Sequence, residues 1–503
     1  MKKVIIFVFV FLVSSWLMGT DSLNDIINDS SISNDSLFVL LTHWNKHLPE
    51  DSTGVFLQKV NVINDTLIAP YFIHIPQNYD HTKPARLLVY LHGGVGRKDF
   101  IDDFSEYVPQ ITALFPNEVT NNWFILFPQG NQYTMWWDLV GMENIKTQIR
   151  NLKENYNIDD NRIYMTGFSD GGSASFHFAL TDPNMFAAFY PLNGFIAVGS
   201  RMTQNPVYIA NLQNRHLRAI NTDDDGLYPS ADMRLLMELS LQAGADLFYK
   251  EYWGIGHDFA YAEEDVPIMV EDMKNQARDI FGSDIYWESS NPEFNRCDWL
   301  EITKLDTLET PKEWQKEYNI KLENKRIQFG FYHDDTFEGK GVKVRDVIEA
   351  STADSMDLKK DDIVIKMDGK DVENIEKLSE LKTFKKRGDT VSLTVLREDK
   401  KVKLTGQFPE VEFYDAFIMN KPSGAVKAKY WGNHFEIETS RVEELALYIN
   451  PYMVNLKNPV SVTVNGDEVF NDHIEIDREF MVENFLKNFD RKALWVKRIV
   501  LKL

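Results

Sequence analysis

The chain has 503 residues, 44% of them hydrophobic and 13% aromatic. That length exceeds one compact domain, and the composition supplies several cores and excludes a disordered chain. A net charge of −22 leaves no basic surplus to displace counterions, so neither nucleic acid nor an anionic membrane surface is an expected partner.

Met1-Lys2-Lys3, the apolar run from Val4 to Val13 and the small residues ending at Gly19-Thr20 predict a secretory signal peptide over residues 1–20. The expected destination is periplasmic or extracellular, with no membrane span beyond that segment. The lone Cys297 has no partner for an internal disulfide, and burial is its expected state. Residues 21–53 form a lead-in. It is rich in Asp, Asn and Ser up to Ser36, which suits a flexible segment, and turns helical in periodicity from Leu37 to Leu48.

From Gly54 to Pro76 apolar residues alternate on both sides of Asn64-Asp65, predicting an antiparallel hairpin. Leu87–Leu91 and Trp123–Pro128 are continuous apolar runs, as expected of parallel strands buried on both faces. An amphipathic helix over Ile145–Tyr156 leads to a strand at Arg162–Thr166. Further strands at Phe186–Pro191, Leu217–Asn221 and Leu247–Tyr252 alternate with helical patterns. Over residues 54–281 this rhythm predicts an α/β domain, a mostly parallel sheet with helices on both faces.

At its centre stands Gly167-Phe168-Ser169-Asp170-Gly171-Gly172. A strand precedes it and a small-residue helix follows, which is the context of a nucleophile elbow. Such a serine needs a base, an acid to orient the base, and N–H donors for an oxyanion. His257 is the sole histidine between Leu217 and Tyr332 and sits in a loop at the carboxyl end of a strand, where a base belongs. The acid is sought in Thr222–Pro229. Asp223, Asp224 and Asp225 compete there; Asp225 is the first choice because it immediately precedes a short turn, and Asp224 the second. Asn221, Asp223, Asp225, Gly226 and Asp232 also fall at calcium-loop offsets. Pro229 inside that loop, an Asp in the last position and the lack of a leading helix argue against it, so no metal and no cofactor are expected. His92-Gly93-Gly94 supplies the first oxyanion donor at Gly94, with the N–H of Asp170 as the second, and His92 serves as a brace for this loop. Trp136 and Trp137 are candidates for the wall of an acyl or alcohol pocket, with core packing as the competing role.

Together, Leu91–Gly94, Asp160–Gly172, Asp225–Pro229 and Gly256–Phe259 resemble the α/β-hydrolase superfamily, over roughly Tyr71 to Phe281. The nearest branch is that of polyhydroxybutyrate-depolymerase-like and feruloyl-esterase-like secreted serine esterases. The resemblance implies a secreted serine hydrolase that cleaves carboxylic esters through an acyl-enzyme, with Ser169, Asp225 and His257 as its triad. Asn221-Thr222 departs from the His-Gly of many members. Prolyl-oligopeptidase-like peptidases share the elbow, but the chain has no room for their N-terminal propeller; a peptidase acting on peptide substrate is the runner-up. A catalytically idle binding scaffold is the alternative from another class, and the complete triad order argues against it.

Residues 326–408 resemble a bacterial PDZ domain, through Gly341–Val344, Ala353 and Leu358–Val372. The resemblance implies a module that takes a C-terminal peptide as an added strand, with Phe329-Gly330-Phe331 as the carboxylate loop. Asp361 replaces a usual Gly, and Met356-Asp357 a usual Ala-Gly. Residues 282–325 read as a connecting segment. If Trp299–Ile302 is the first strand of the C-terminal domain, the PDZ-like domain is an insertion. Residues 409–503 are β-rich, with hairpin signals at Gly432-Asn433 and Asn465-Gly466, a helix over Phe480–Phe489 and a last strand over Leu494–Leu501.

Overall fold

The computed structural model describes residues 22–503 apart from Leu48, Asp51, Asp102, Asp103, Arg326 and Asp335. The signal peptide expected over residues 1–20 lies outside the described residues. The chain divides into two compact units, residues up to Tyr318 with Phe417–Leu503, and Asn319–Ala416.

The first unit opens with α1 (Leu23–Asn28) and α2 (Asn34–Thr42), where a flexible segment was expected up to Ser36. The polar residues that suggested flexibility are helix caps: Ser22 and Asp25 form a capping box, and Ser33 caps α2. The apolar face of this pair, Ile26, Leu37, Phe38 and Leu41, packs on Met481, Phe485 and Phe489 near the other end of the chain.

The hairpin follows as β1 (Val55–Asn64) and β2 (Leu67–Ile75), closed by Asn64 Oδ1 accepting from the Thr66 and Leu67 N–H groups. Then come β3 (Ala85–Leu91), α3 (Phe104–Thr112), α4 (Asn117–Asn122), β4 (Trp123–Pro128), α5 (Leu139–Asn155), β5 (Ile158–Phe168), α6 (Asp170–Thr181), β6 (Ala188–Leu192), α7 (Val198–Thr203), β7 (His216–Thr222), α8 (Ser230–Gln242), β8 (Leu247–Tyr252) and α9 (Ala262–Asn275). They form an eight-stranded sheet in the order β1-β2-β4-β3-β5-β6-β7-β8. β1–β2 and β2–β4 are antiparallel and every later pairing is parallel. β4 and β6 are buried along their whole length, which is why they carry no alternation. The loops after β3, β5, β7 and β8 leave the sheet at one edge, the carboxyl end, where such sheets hold their ligands.

The chain continues as β9 (Asp284–Ser289), β10 (Arg296–Cys297) and β11 (Leu300–Leu305). The second unit then runs through β12 (Lys321–Glu323), β13 (Phe331–His333), β14 (Val342–Val347), α10 (Thr352–Ser355), β15 (Ile363–Met367), β16 (Lys370–Asp371), α11 (Ile375–Lys382), β17 (Thr390–Arg397), β18 (Lys400–Gln407) and β19 (Phe413–Asp415). Its main sheet has the order β13-β14-β15-β17-β18 around a core of Val344, Val364, Leu393 and Val395. Asp357 and Asp361, the two departures from the PDZ pattern, sit at φ 64° and 67°. Asp tolerates this left-handed region better than most residues with a side chain.

The first unit resumes with β20 (Gly424–Trp431), β21 (His434–Ser440), β22 (Val442–Ile449), β23 (Val460–Val464), β24 (Asp467–Asp472), α12 (Arg478–Asn488) and β25 (Lys497–Lys502). Two sheets, β24-β23-β21-β20-β9 and β10-β11-β22-β25, enclose Trp287, Trp299, Phe435, Leu447 and Trp495 in one core and make a β-sandwich. Residues 282–325, read from the sequence as a connector, thus supply three of its strands, and the first is β9 rather than the stretch at Trp299. Cys297 is buried in this core.

A buried ionic cluster ties the sandwich end of the chain to the parallel sheet's domain. Arg278 grips Asp490 with two nitrogens at 2.9 and 3.0 Å, Lys153 Nζ lies 2.7 Å from Asp160 and 3.3 Å from Asp490, and Arg491 Nε lies 2.7 Å from Asp160. Burial pushes the Asp490 carboxyl up, but Arg278 and Lys153 outweigh it and hold it well below the usual carboxylate range. Its contribution to stability is therefore present at neutral pH and lost only in strong acid. Asp490→Ala leaves two buried cations under-compensated and is expected to cost about 3–5 kcal/mol of stability. Thermal unfolding checks it: a melting temperature equal to that of the wild type would count against the cluster as a fastening.

Candidate active site

Ser169 lies between β5 and α6 at φ 60° and ψ −118°, a state that a residue with a Cβ holds only when its surroundings impose it. The imposing contact is the close approach of α6 to the sheet. A Cβ on Gly171 would run into the Leu91 carbonyl oxygen, and one on Gly172 into that of Leu192. Ser169 N–H donates to the Leu192 carbonyl at 3.0 Å. At the start of α6, the Asp170 N–H has no acceptor within its own helix and is open to a developing anion.

The loop after β3 passes over the serine. A Cβ on Gly93 would stand 2.9 Å from Ser169 Cβ and 3.4 Å from its Oγ, so only glycine fits there. The buried His92 braces this loop. Its Nδ1 meets the Gly93 carbonyl at 2.8 Å and its Nε2 accepts from the Gly130 N–H at 3.0 Å, which puts the ring proton on Nδ1. Burial lowers the His92 pKa to about 4, so the ring is neutral and unsuited to a proton relay at neutral pH. Trp136 donates its indole N–H to the His92 carbonyl at 3.0 Å and meets the imidazole edge to face at 5.1 Å. The pocket-wall role considered for Trp136 and Trp137 is corrected: they are 0% and 4% exposed and pack beneath the surface, because the Trp136 ring fills the space that Gly130 leaves.

Of the three adjacent carboxylates after β7, it is Asp225 that meets His257. Its Oδ2 lies 2.7 Å from His257 Nδ1 and accepts from Asn193 Nδ2 at 3.1 Å. Its Oδ1 accepts from the N–H groups of Leu227 and Tyr228, both at 2.8 Å. Burial pushes the Asp225 carboxyl up, yet the bonds from His257, Tyr228, Asn193 and Leu227 outweigh it and leave its pKa below the ordinary value. Asp224 is exposed, and Asp223 caps its own loop, accepting from Asp224 N–H at 2.9 Å and Gly254 N–H at 2.7 Å. The His257 ring packs on Phe168, the neighbour of Ser169, at 4.8 Å and on Tyr228 at 5.9 Å. Base, acid and elbow therefore share one cluster.

Asn221-Thr222, the pair that departs from His-Gly, serves this arrangement. Asn221 Nδ2 donates to the Gly194 carbonyl at 3.0 Å, and the Thr222 hydroxyl to the Gly256 carbonyl at 2.8 Å, next to His257. Among the described residues no group of three or more His, Cys, Asp or Glu is arranged to hold a metal ion. The residue that sequence reasoning missed is Asn193. It sits at φ 44°, donates to both Asp225 and Thr222, and accepts from the Tyr261 hydroxyl at 2.7 Å. Asn193-Gly194 at the end of a buried strand is a turn dipeptide, and that was the available signal.

In the second unit, Phe329, Gly330 and Phe331 line a groove of about 360 Å³ with Ile348, Ile375 and Leu378. Gly330 takes φ 84°, and its carbonyl accepts from Ile348 N–H at 2.8 Å.

Residues 308–406 match the family model of the PDZ domain. The bifunctional acetylxylan esterase/xylanase XynS20E of Neocallimastix patriciarum is 28% identical over 152 residues, 30% of this chain and 21% of its own length. The chain thus spans about a fifth of that relative's length. Among solved structures, a thermostable esterase is 23% identical over 44% of this chain and 63% of its own, with a TM-score of 0.37. A ferulic acid esterase is 15% identical over 44% and 98%, with a TM-score of 0.35. The strand order, the strained serine between β5 and α6, and an acid and a histidine after β7 and β8 are the features of an α/β-hydrolase fold. The chain joins a domain of α/β-hydrolase fold to a β-sandwich, and the unit that interrupts the sandwich in sequence is mostly covered by the stretch that matches the PDZ model.

Proposed function

We propose that the protein is an exported serine hydrolase that cleaves carboxylic esters. The observation that carries this is the 2.7 Å contact of Asp225 with His257 Nδ1, made beside a serine held at φ 60° under a glycine loop. His257 takes the Ser169 proton on Nε2 as Oγ attacks the acyl carbon. The N–H groups of Gly94 and Asp170 receive the oxyanion, each worth roughly 3 kcal/mol by analogy with measured donors. His257 passes the proton to the leaving alcohol. Water, activated by the same imidazole, then cleaves the acyl-enzyme while Asp225 stabilises the imidazolium. The relative's acetylxylan esterase name supports an ester over an amide. Export rests on the pattern of residues 1–20; among the described residues no helix is long and apolar enough to cross a membrane.

A peptidase is the second reading, favoured by the PDZ groove. β13 is an edge strand of its sheet, so a C-terminal peptide can add to it there and place apolar side chains against Phe329, Phe331 and Ile375. A fluorophosphonate probe should label the wild type at Ser169, as mapped on the modified peptide; an unlabelled protein would leave the fold as a scaffold. Short p-nitrophenyl esters should be turned over and peptide p-nitroanilides should not. The reverse preference would replace the esterase by the peptidase.

A further inference from the structure

Resting on the serine-hydrolase reading above, we propose that the Asp170 side chain is a positioning residue that sets the oxyanion loop and couples it to the loop of the acid. Asp170 Oδ2 accepts from the Val95 N–H at 2.9 Å, and its Oδ1 from the Tyr228 hydroxyl at 3.4 Å. The Tyr228 N–H in turn donates to Asp225 Oδ1 at 2.8 Å. One carboxylate, on the residue after the nucleophile, thus reaches the loops that follow β3 and β7.

The consequence for catalysis comes from peptide geometry. In a trans peptide the N–H points opposite to the C=O of the same unit. The Gly94 carbonyl faces Arg97 Nε at 2.7 Å, so the N–H of that unit, belonging to Val95, faces Asp170 and is consumed by it. The Gly93 carbonyl is held by His92 Nδ1 at 2.8 Å and by Arg97 at 3.4 Å. The N–H of that unit, belonging to Gly94, therefore points away from both and remains available for the oxyanion. Arg97 makes its contacts in solvent, where they are weak. Gly93, Gly94 and Gly96 offer no Cβ to resist rotation of these peptides. The charge-assisted bond from buried Val95 to Asp170 is the fixed point on the side of α6.

Asp170→Asn keeps an oxygen for Val95, whereas Asp170→Ala keeps none. On p-nitrophenyl acetate, Asp170→Ala is expected to lower kcat by about 10²-fold with KM within about threefold of the wild type. Asp170→Asn should recover to within about tenfold of the wild type. Affinity for a trifluoromethyl ketone, whose serine adduct carries the oxyanion, should fall in Asp170→Ala by the same factor as kcat/KM. A role in folding alone would move the melting temperature and leave that affinity of the folded enzyme untouched. Asp170→Leu, similar in shape to the Asn variant, takes the place of the Ala variant if that does not fold. The proposal is overturned if the acceptor-free variant keeps wild-type kcat, or if the Asn variant is impaired equally. Ser169→Ala run alongside separates the two levels: activity surviving there removes the serine-hydrolase reading itself. An inactive Ser169→Ala beside a fully active Asp170→Ala removes only the positioning role.

Discussion

Ser169→Ala is expected to lower kcat for short p-nitrophenyl esters by about 10⁶-fold and to leave the melting temperature unchanged. The substitution removes Oγ and little else. Alanine keeps the Cβ, so the φ 60° state is as strained as before. The backbone bonds of position 169, N–H to Leu192 and carbonyl from the Ser173 N–H at 2.9 Å, survive. The other serines of α6 cannot substitute. Ser173 and Ser175 are buried in α6 and already donate to the carbonyls of Ser169 and Gly171. What remains is catalysis by the oxyanion donors and by substrate binding, about 10³–10⁴-fold over water. Steady-state kinetics with active-site titration checks the figure, and a residual rate within about a hundredfold of wild type would take the nucleophile's role away from Ser169.

The parts of this protein that were legible in the sequence are those specified by neighbours along the chain. Leu87–Leu91 and Trp123–Pro128 read as buried strands because both faces of each are covered, and they are β3 and β4. Ser169 stood out as a candidate because its turn demands glycines at fixed offsets, and His257 as a candidate because the stretch around it holds no rival. What the sequence hid depends on partners far away. β9 pairs with β20 across the whole inserted unit, so Asp284–Ser289 carried no local sign of belonging to a sandwich. The helices α1 and α2 are too short to be stable alone, and the residues that hold them lie in and just after α12. In the site, Asp223, Asp224 and Asp225 competed as adjacent carboxylates, with Asp225 ahead only through the short turn it precedes. Only the fold decides, by burying Asp225 and giving it two backbone N–H groups. Trp136 and Trp137 suited a pocket wall and core packing equally in the sequence, and their burial, with Trp136 against His92, decides for packing.

Asp225→Asn is expected to lower kcat by about 10⁴-fold, and the surrounding hydrogen bonds dictate the mechanism. Two backbone donors, Leu227 and Tyr228, face Oδ1, so the new amide must turn its oxygen to them. Its NH₂ then points at His257 Nδ1 and at Asn193 Nδ2. Asn193 cannot turn to accommodate it. The Thr222 hydroxyl donates to the Gly256 carbonyl, which leaves its oxygen as the acceptor for Asn193 Nδ2 at 2.6 Å. With a donor facing Nδ1, the neutral imidazole carries its proton on Nε2, the nitrogen that must receive the serine's proton. The base is lost although every ring stays in place. The clash of two buried amide donors adds about 1–3 kcal/mol of destabilisation. In the wild type the Asp225 carboxylate keeps its charge across neutral pH, because its pKa is depressed and the charge is lost only as pH falls through that lowered value. The test is kcat for p-nitrophenyl acetate against pH in Asp225→Asn and, as a control, in Asp224→Asn. The first should be crippled throughout the neutral range and the second close to wild type. A reversal of the two would move the acid to Asp224, and two active variants would remove both Asp224 and Asp225 as the acid.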